Sequence, residues 1–140
     1  MTVILAVEHG WQGMRELSLA FAKLGASVDV LIKGRVPSEV LAMITTPRGM
    51  RVLDAPRVMF RWCLVWSCLT ASLTRRPVLV VTQQWGTRGT EITRRWMERL
   101  RRIVPFELCL LEEAKGNVRL LRPDGAAISA EMATAKGAAR

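Results

Sequence analysis

Two glycine-bearing loops hold most of the residues in this chain that could do chemistry. One reads Glu8-His9-Gly10-Trp11-Gln12-Gly13-Met14-Arg15, and the other Gln83-Gln84-Trp85-Gly86-Thr87-Arg88-Gly89-Thr90. Glycines let backbone N–H groups come close to a ligand, and a loop opening onto a helix N-terminus presents partial positive charge. Such a mouth suits a phosphate or a sugar phosphate. On this reasoning Gly10, Gly13 and Gly86 give backbone access, Arg15 and Arg88 neutralise an anion, and Trp11 or Trp85 stacks on a ring. Glu8, Gln83, Gln84 and Glu112 complete the expected ligand-binding set. The plainer alternative is that these glycines only make tight strand-to-helix turns.

His9 is the sole histidine, and its ordinary pKa suits proton transfer near neutrality. It is the one tentative catalytic residue; otherwise it is a hydrogen-bonded turn residue. Glu112 and Glu113 close a later apolar run and suit hydroxyls, a cation or plain solvation. No nucleophile–base–orienter set can be assembled, because there is one His and no Ser or Cys in an elbow motif. The spacing of Gly10 and Gly13 does not make a G-x-G-x-x-G fingerprint, and a phosphate-binding P-loop is absent. Cys63, Cys68 and Cys109 are odd in number and lack C-x-x-C spacing, so neither a disulfide scaffold nor a structural zinc site is expected. No cofactor and no metal are called for. Three reduced thiols among apolar neighbours point to the cytoplasm, and no signal peptide is expected ahead of Val3-Ile4-Leu5-Ala6-Val7.

The elements that must position these loops alternate strand and helix along 140 residues, half of them apolar. Val3–Glu8 reads as a strand buried on both faces, and Met14, Leu17, Phe21 and Leu24 as a helix stripe stopped by Gly25. Ser27–Lys33 is the second strand, 37–44 a short helix, and Met50–Asp54 the third strand. A helix follows over Arg57–Thr74, then a fourth strand over Val78–Thr82. Ile92, Trp96, Leu100 and Ile103 mark an amphipathic helix, and Phe106–Leu111 the fifth strand. Val118–Leu121 suits a short edge strand. The expected fold is α/β: a Rossmann-like, doubly wound parallel sheet of about five strands in order 3-2-1-4-5, with helices on both faces. One domain spans 1–125, and an Ala-rich tail, frayed or disordered, spans 126–140. Ligands in such sheets collect where strand order reverses, here between strands one and four.

Charge and hydropathy add partners. Lys plus Arg number 21 against 12 Asp plus Glu, and 17 of the 21 are arginine, whose fork binds phosphate and carboxylate bidentately. An anionic small molecule follows. Nucleic acid is not expected, since the basic residues alternate with core positions and no reader motif is present. The Arg57–Thr74 helix is apolar nearly all round, with Trp62 and Trp66 among its residues. Its apolar stretch, Val58 to Leu73, is shorter than a membrane span and contains Arg61, so it should not cross a bilayer. Its surplus apolar surface implies a second buried contact: another subunit, a partner domain, a peripheral membrane interface, or the chain's own tail.

In element order the chain resembles the N-terminal, acceptor-side half of GT-B-type glycosyltransferases. The resemblance covers roughly residues 1–113. It is carried by Leu24-Gly25-Ala26-Ser27-Val28-Asp29-Val30-Leu31, by Met50-Arg51-Val52-Leu53-Asp54, and by the strand entered through Arg76-Pro77-Val78-Leu79-Val80-Val81. The second, nucleotide-sugar-binding domain of that family has no counterpart here, and Gln83-Gln84-Trp85-Gly86 lacks the histidine many members place in that loop. The resemblance therefore implies an acceptor-binding half that needs a separate donor-binding protein, as in split, membrane-associated N-acetylglucosaminyltransferases. Any enzymatic role would be as such a component. The competing expectations are a non-enzymatic interaction module docking or dimerising through the Trp62/Trp66 helix, and a small nucleotide- or metabolite-binding regulator.

Overall fold

The computed structural model describes residues 1–8, 12–34, 49–84, 88–114 and 117–129. Its elements are β1 (Thr2–Val7), α1 (Gln12–Lys23), β2 (Ser27–Lys33), β3 (Met50–Ala55), a 3-10 turn (Arg57–Met59), α2 (Phe60–Ser72), β4 (Val78–Gln84) and α3 (Arg88–Leu100). β5 (Glu107–Ala114), β6 (Asn117–Leu121) and β7 (Ala127–Ile128) follow. The expected short helix at 37–44 and the tail from residue 130 lie outside the described residues.

The sheet order is β3-β2-β1-β4-β5-β6-β7. The first five strands pair in parallel, which is the expected 3-2-1-4-5 core, and β6 and β7 extend it antiparallel. β7 takes Ala127 and Ile128 from the stretch expected to be tail, so β6 is an interior strand and not an edge.

Alternation along the strands sorts the core into two layers. Val3, Leu5, Val7, Val28, Val30 and Val81 pack under α1, whose Met14, Leu17 and Phe21 form the buried stripe. Ile4, Ala6, Leu31 and Val80 point to the other side and meet Phe60, Leu64 and Cys68 of α2 and Met97 of α3. Ala6, Leu31 and Val80 thus share one interior layer, as a central β1 requires.

Gly25 ends α1 with φ +83, a left-handed conformation that glycine adopts without cost. Around it the Ala26 N–H donates to the Phe21 carbonyl at 3.2 Å and the Gly25 N–H to the Ala22 carbonyl at 3.1 Å, the paired bonds of a Schellman stop. Leu24, expected on the buried stripe, falls in this closing turn and is exposed.

α3 differs from its expected orientation. Its buried residues are Thr90, Thr93 and Met97, one position on from the expected Ile92 and Trp96 row, while Ile103 is 83% exposed. One residue is about 100° of helix rotation. Trp96 meets Trp62 of α2 edge-to-face, centroids 5.1 Å apart, and with Leu100 packs partly buried against this core layer, while Thr90 and Thr93 are buried.

Candidate functional site

β1, β2 and β4 all deliver their carboxyl ends to one edge, and the N-terminal turns of α2 and α3 arrive at the same edge. Glu8 follows the last residue of β1, and its backbone N–H donates to Gln83 Oε1 of β4 at 2.7 Å. Strand alternation places the Glu8 side chain on the α2/α3 side of the sheet. There its Oε1 accepts from the Thr93 hydroxyl. Thr93 Oγ1 in turn accepts from Arg61 Nε at 3.2 Å, and Arg61 Nη2 donates to the Gly89 carbonyl at 3.3 Å. Arg61 therefore ties the first turn of α2 to the first turn of α3 and to the end of β1.

Two further cations come to this point. Lys33 is the last residue of β2, and its Nζ lies 3.7 Å from where a Cβ on Gly89 would stand, with Arg61 Nη2 at 3.9 Å. Arg57, in the 3-10 turn, lies over Gly34, its Nε 3.6 Å from the position of a Cβ there. Glu8, Lys33, Arg57, Val58 and Arg61 line a cavity of about 570 Å³. Three cations face one carboxylate. Among the described residues none of the three cations forms an ion pair, so this edge is electropositive.

Three side-chain polar atoms on the same side are buried without a hydrogen-bond partner among the described residues: Glu8 Oε2, Thr82 Oγ1 and, on α3, Arg94 Nε. Thr82 is one step before Gln83 on β4, and the alternation that puts Val80 in the α2/α3 layer puts Thr82 there too. Unmet buried polar atoms are costly, and Glu8, which carries one of them, lines the charged cavity, a place suited to a polar ligand or to water.

A larger cavity, about 710 Å³, opens at the opposite end of the sheet between Thr2, Asp29, Arg51, Thr70 and Arg76. Asp29 and Arg51 face each other across β2 and β3 in a two-bonded pair at 3.0 Å, which neutralises much of its charge. Doubly wound sheets place ligands at the carboxyl edge, and there Lys33, Arg57 and Arg61 converge on one cavity. The smaller cavity is the better site.

The residues singled out in sequence are distributed as follows. Glu8 and Gln83 are brought together. Arg88 is the exposed first residue of α3, and Gly13 lies in the first turn of α1. Arg15 is exposed on α1, which covers the other sheet face. Gln84 ends β4, and Glu112 of β5 is its register partner; the Glu112 carboxylate accepts from Arg119 Nη2 of β6 at 2.8 Å. His9, Gly10, Trp11, Trp85 and Gly86 lie outside the described residues. Lys33, Arg57, Arg61 and Thr93 were not expected in the ligand site, although Arg57 and Arg61 stand out in the sequence as cations beside the apolar helix. Their available signals were a lysine closing an otherwise apolar strand, an i, i+4 arginine pair opening a helix, and a threonine on a core-facing row. No group of three or more metal-ligating side chains occurs among the described residues.

A central β1, the parallel 3-2-1-4-5 core and helices on both faces define a Rossmann-like, doubly wound α/β domain. The chain matches no family model and no curated protein. Among solved structures it is similar to the C-terminal domain of the coenzyme A biosynthesis bifunctional protein CoaBC, at 8% identity over 96% of this chain and 90% of that one, with a TM-score of 0.49.

Proposed function

We propose that the chain is a ligand-binding domain that takes an anionic, phosphorylated or sugar-containing molecule at the carboxyl edge of its sheet, beside the point where strand order reverses. The observation that carries this is the convergence of Lys33, Arg57 and Arg61 with Glu8 around one cavity. The cations suit phosphate oxygens, and Glu8, held by Thr93, would accept from a sugar or ribose hydroxyl. In sequence Gly10 and Trp11 follow β1, Trp85 and Gly86 follow β4, and Arg88 opens the helix after β4. In its narrower form the ligand is a glycosyl acceptor and the chain the acceptor-side half of a GT-B-type glycosyltransferase, working with a donor-binding protein. Element order through residue 113 supports that form. His9 would then be the residue to test as a base.

Calorimetric titration with inorganic phosphate, sugar phosphates, nucleotide sugars and free nucleotides tests the reading. Lys33→Ala and Arg57→Ala should each weaken the binding ligand by roughly 1.5–3 kcal/mol, the range for hydrogen bonds to charged groups. His9→Gln separates a turn residue, with binding unchanged, from a base, with any transfer activity lost. If every ligand class fails to bind the parent protein at millimolar concentration, the site is not a ligand site. A non-enzymatic interaction module then takes its place, favoured by the exposure of Trp62 and Trp66 on α2.

A further inference from the structure

The outer surface of the α2/α3 layer combines two features that select one kind of partner. α2 buries Phe60, Leu64, Cys68 and Ala71. At 100° per residue, Trp62, Trp66, Leu69 and Leu73 fall on the side opposite that row. They are exposed, Trp62 by 59%, Trp66 by 68% and Leu73 by 80%. This apolar strip is about 17 Å long. Val58 and Met59 extend it at one end, and Ile103 adds an exposed side chain beyond α3.

The second feature is charge. Residues 57–103, which contain α2, β4 and α3, hold ten arginines against two glutamates, +8 of the chain's net +9. No acidic residue occurs between Asp54 and Glu91. Arg57 stands at one end of the strip and Arg75 and Arg76 at the other, while Arg95 and Arg99 are exposed on the neighbouring helix. A second copy docked along α2 in either direction would bring arginines against arginines, with no carboxylate on the element to offset them. A nucleic-acid backbone would leave the apolar strip uncovered. An interface that is acidic at its surface and apolar just beneath it satisfies both features, and indoles favour that boundary.

We propose that the α2/α3 face docks on an anionic lipid bilayer, with Trp62, Trp66, Leu69 and Leu73 entering the headgroup–acyl boundary and the flanking arginines meeting lipid phosphates. Among the described residues no helix is long and apolar enough to cross a membrane, so the contact is peripheral. It places the carboxyl-edge cavity, which shares Arg57 and Arg61 with the N-terminal end of α2, next to the lipid surface.

Co-sedimentation of the full chain with vesicles of phosphatidylcholine, and of phosphatidylcholine mixed with phosphatidylglycerol, reads the proposal. Binding should be at least tenfold tighter to the mixed vesicles and should weaken with salt. Arg95→Gln and Arg99→Gln, both outside the cavity, should each lose roughly fivefold. The exposed pair Trp62→Ser with Trp66→Ser should lose tenfold or more and abolish a lipid-induced blue shift of tryptophan emission. Absence of binding to the anionic vesicles by the parent protein overturns the proposal, whatever the variants do. So does equal binding to both vesicle types, or anionic binding unaffected by the double tryptophan change. A concentration-dependent dimer that the double change dissolves, without lipid binding, would instead assign the face to a second copy.

Discussion

Thr93 carries a hydroxyl for which three groups compete. Its single proton can go to Glu8 Oε1 or to the Gly89 carbonyl at 3.1 Å, while its oxygen accepts from Arg61. Thr93→Val keeps the shape and removes all of this, leaving a carboxylate oxygen and a guanidinium N–H unmet in a half-buried place. It should cost about 1–3 kcal/mol in urea denaturation, whereas Thr93→Ser, which keeps the hydroxyl, should lose only about 0.8 kcal/mol for its methyl group. Equal losses would show that the network contributes nothing. Cys68 makes a separate prediction. Burial against the sheet pushes its thiol from the ordinary value of 9.0 up to about 12. The unfolded chain therefore releases this proton first as pH rises. The contribution to stability is complete below pH 9.0 and is lost between there and about 12, at roughly 1.4 kcal/mol per pH unit. The difference in unfolding free energy between the parent and Cys68→Ala, followed from pH 8 to 11, should be level below pH 9.0 and then fall with that slope. At this scale the sequence was half legible. Glu8 and Gln83 could be found because they end strands that must be central. Lys33, Arg57 and Arg61 could not, because their convergence depends on how far α2 leans over β2 and on which way each long side chain turns.

Elements were more legible than residues, and the exceptions share a cause. Buried runs such as Val3–Val7 and Val78–Val81 announce strands that are covered on both faces, and Gly25 announces the end of α1. What periodicity cannot say is which of two apolar rows faces the sheet. α3 has Ile92, Trp96 and Leu100 on one row and Thr90, Thr93 and Met97 on the next. Hydropathy favours the first, but Trp96 meets Trp62 of the neighbouring helix and the threonines are buried. This rotation has a direct check. Met97→Ala should cost about 2–5 kcal/mol, because it empties a fully buried position. Ile103→Ala should change stability by less than about 0.5 kcal/mol, because that side chain is in solvent. The reverse order would restore the orientation suggested by hydropathy alone. β7 was missed for another reason. Two residues, Ala127 and Ile128, are too few to show alternation, and they become a strand only because β6 offers Leu120 and Leu121 an unfilled neighbour.

The whole molecule separates its charge from its topology. Right-handed crossovers and buried parallel strands leave few arrangements, which is why the 3-2-1-4-5 core is legible in the sequence. The antiparallel extension through β6 and β7 needs no crossover, so the same rules do not foretell it. Charge does not follow strand order but is concentrated in the segment that contains α2, β4 and α3, with +8 of +9 between residues 57 and 103. Like charges near one another repel, and salt relieves that repulsion within a Debye length of about 8–10 Å. Among the described residues the ion pairs that salt would weaken are few and sit largely at the surface, among them Arg95–Glu91 and Arg119–Glu112, both at 2.8 Å. Exposed pairs of that kind are worth about 0–1 kcal/mol each. Relief should therefore exceed loss, and the Tm should rise by a few degrees as sodium chloride is raised from about 10 to 150 mM. A falling Tm would mean that the surface pairs outweigh the crowded arginines. Inorganic phosphate at matched ionic strength adds a second test of the same melt. Screening alone would give the chloride result, but an anion held by Lys33, Arg57 and Arg61 stabilises the folded state further, by RT ln(1 + [L]/Kd). The excess over chloride should be present in the parent protein and disappear in Lys33→Ala.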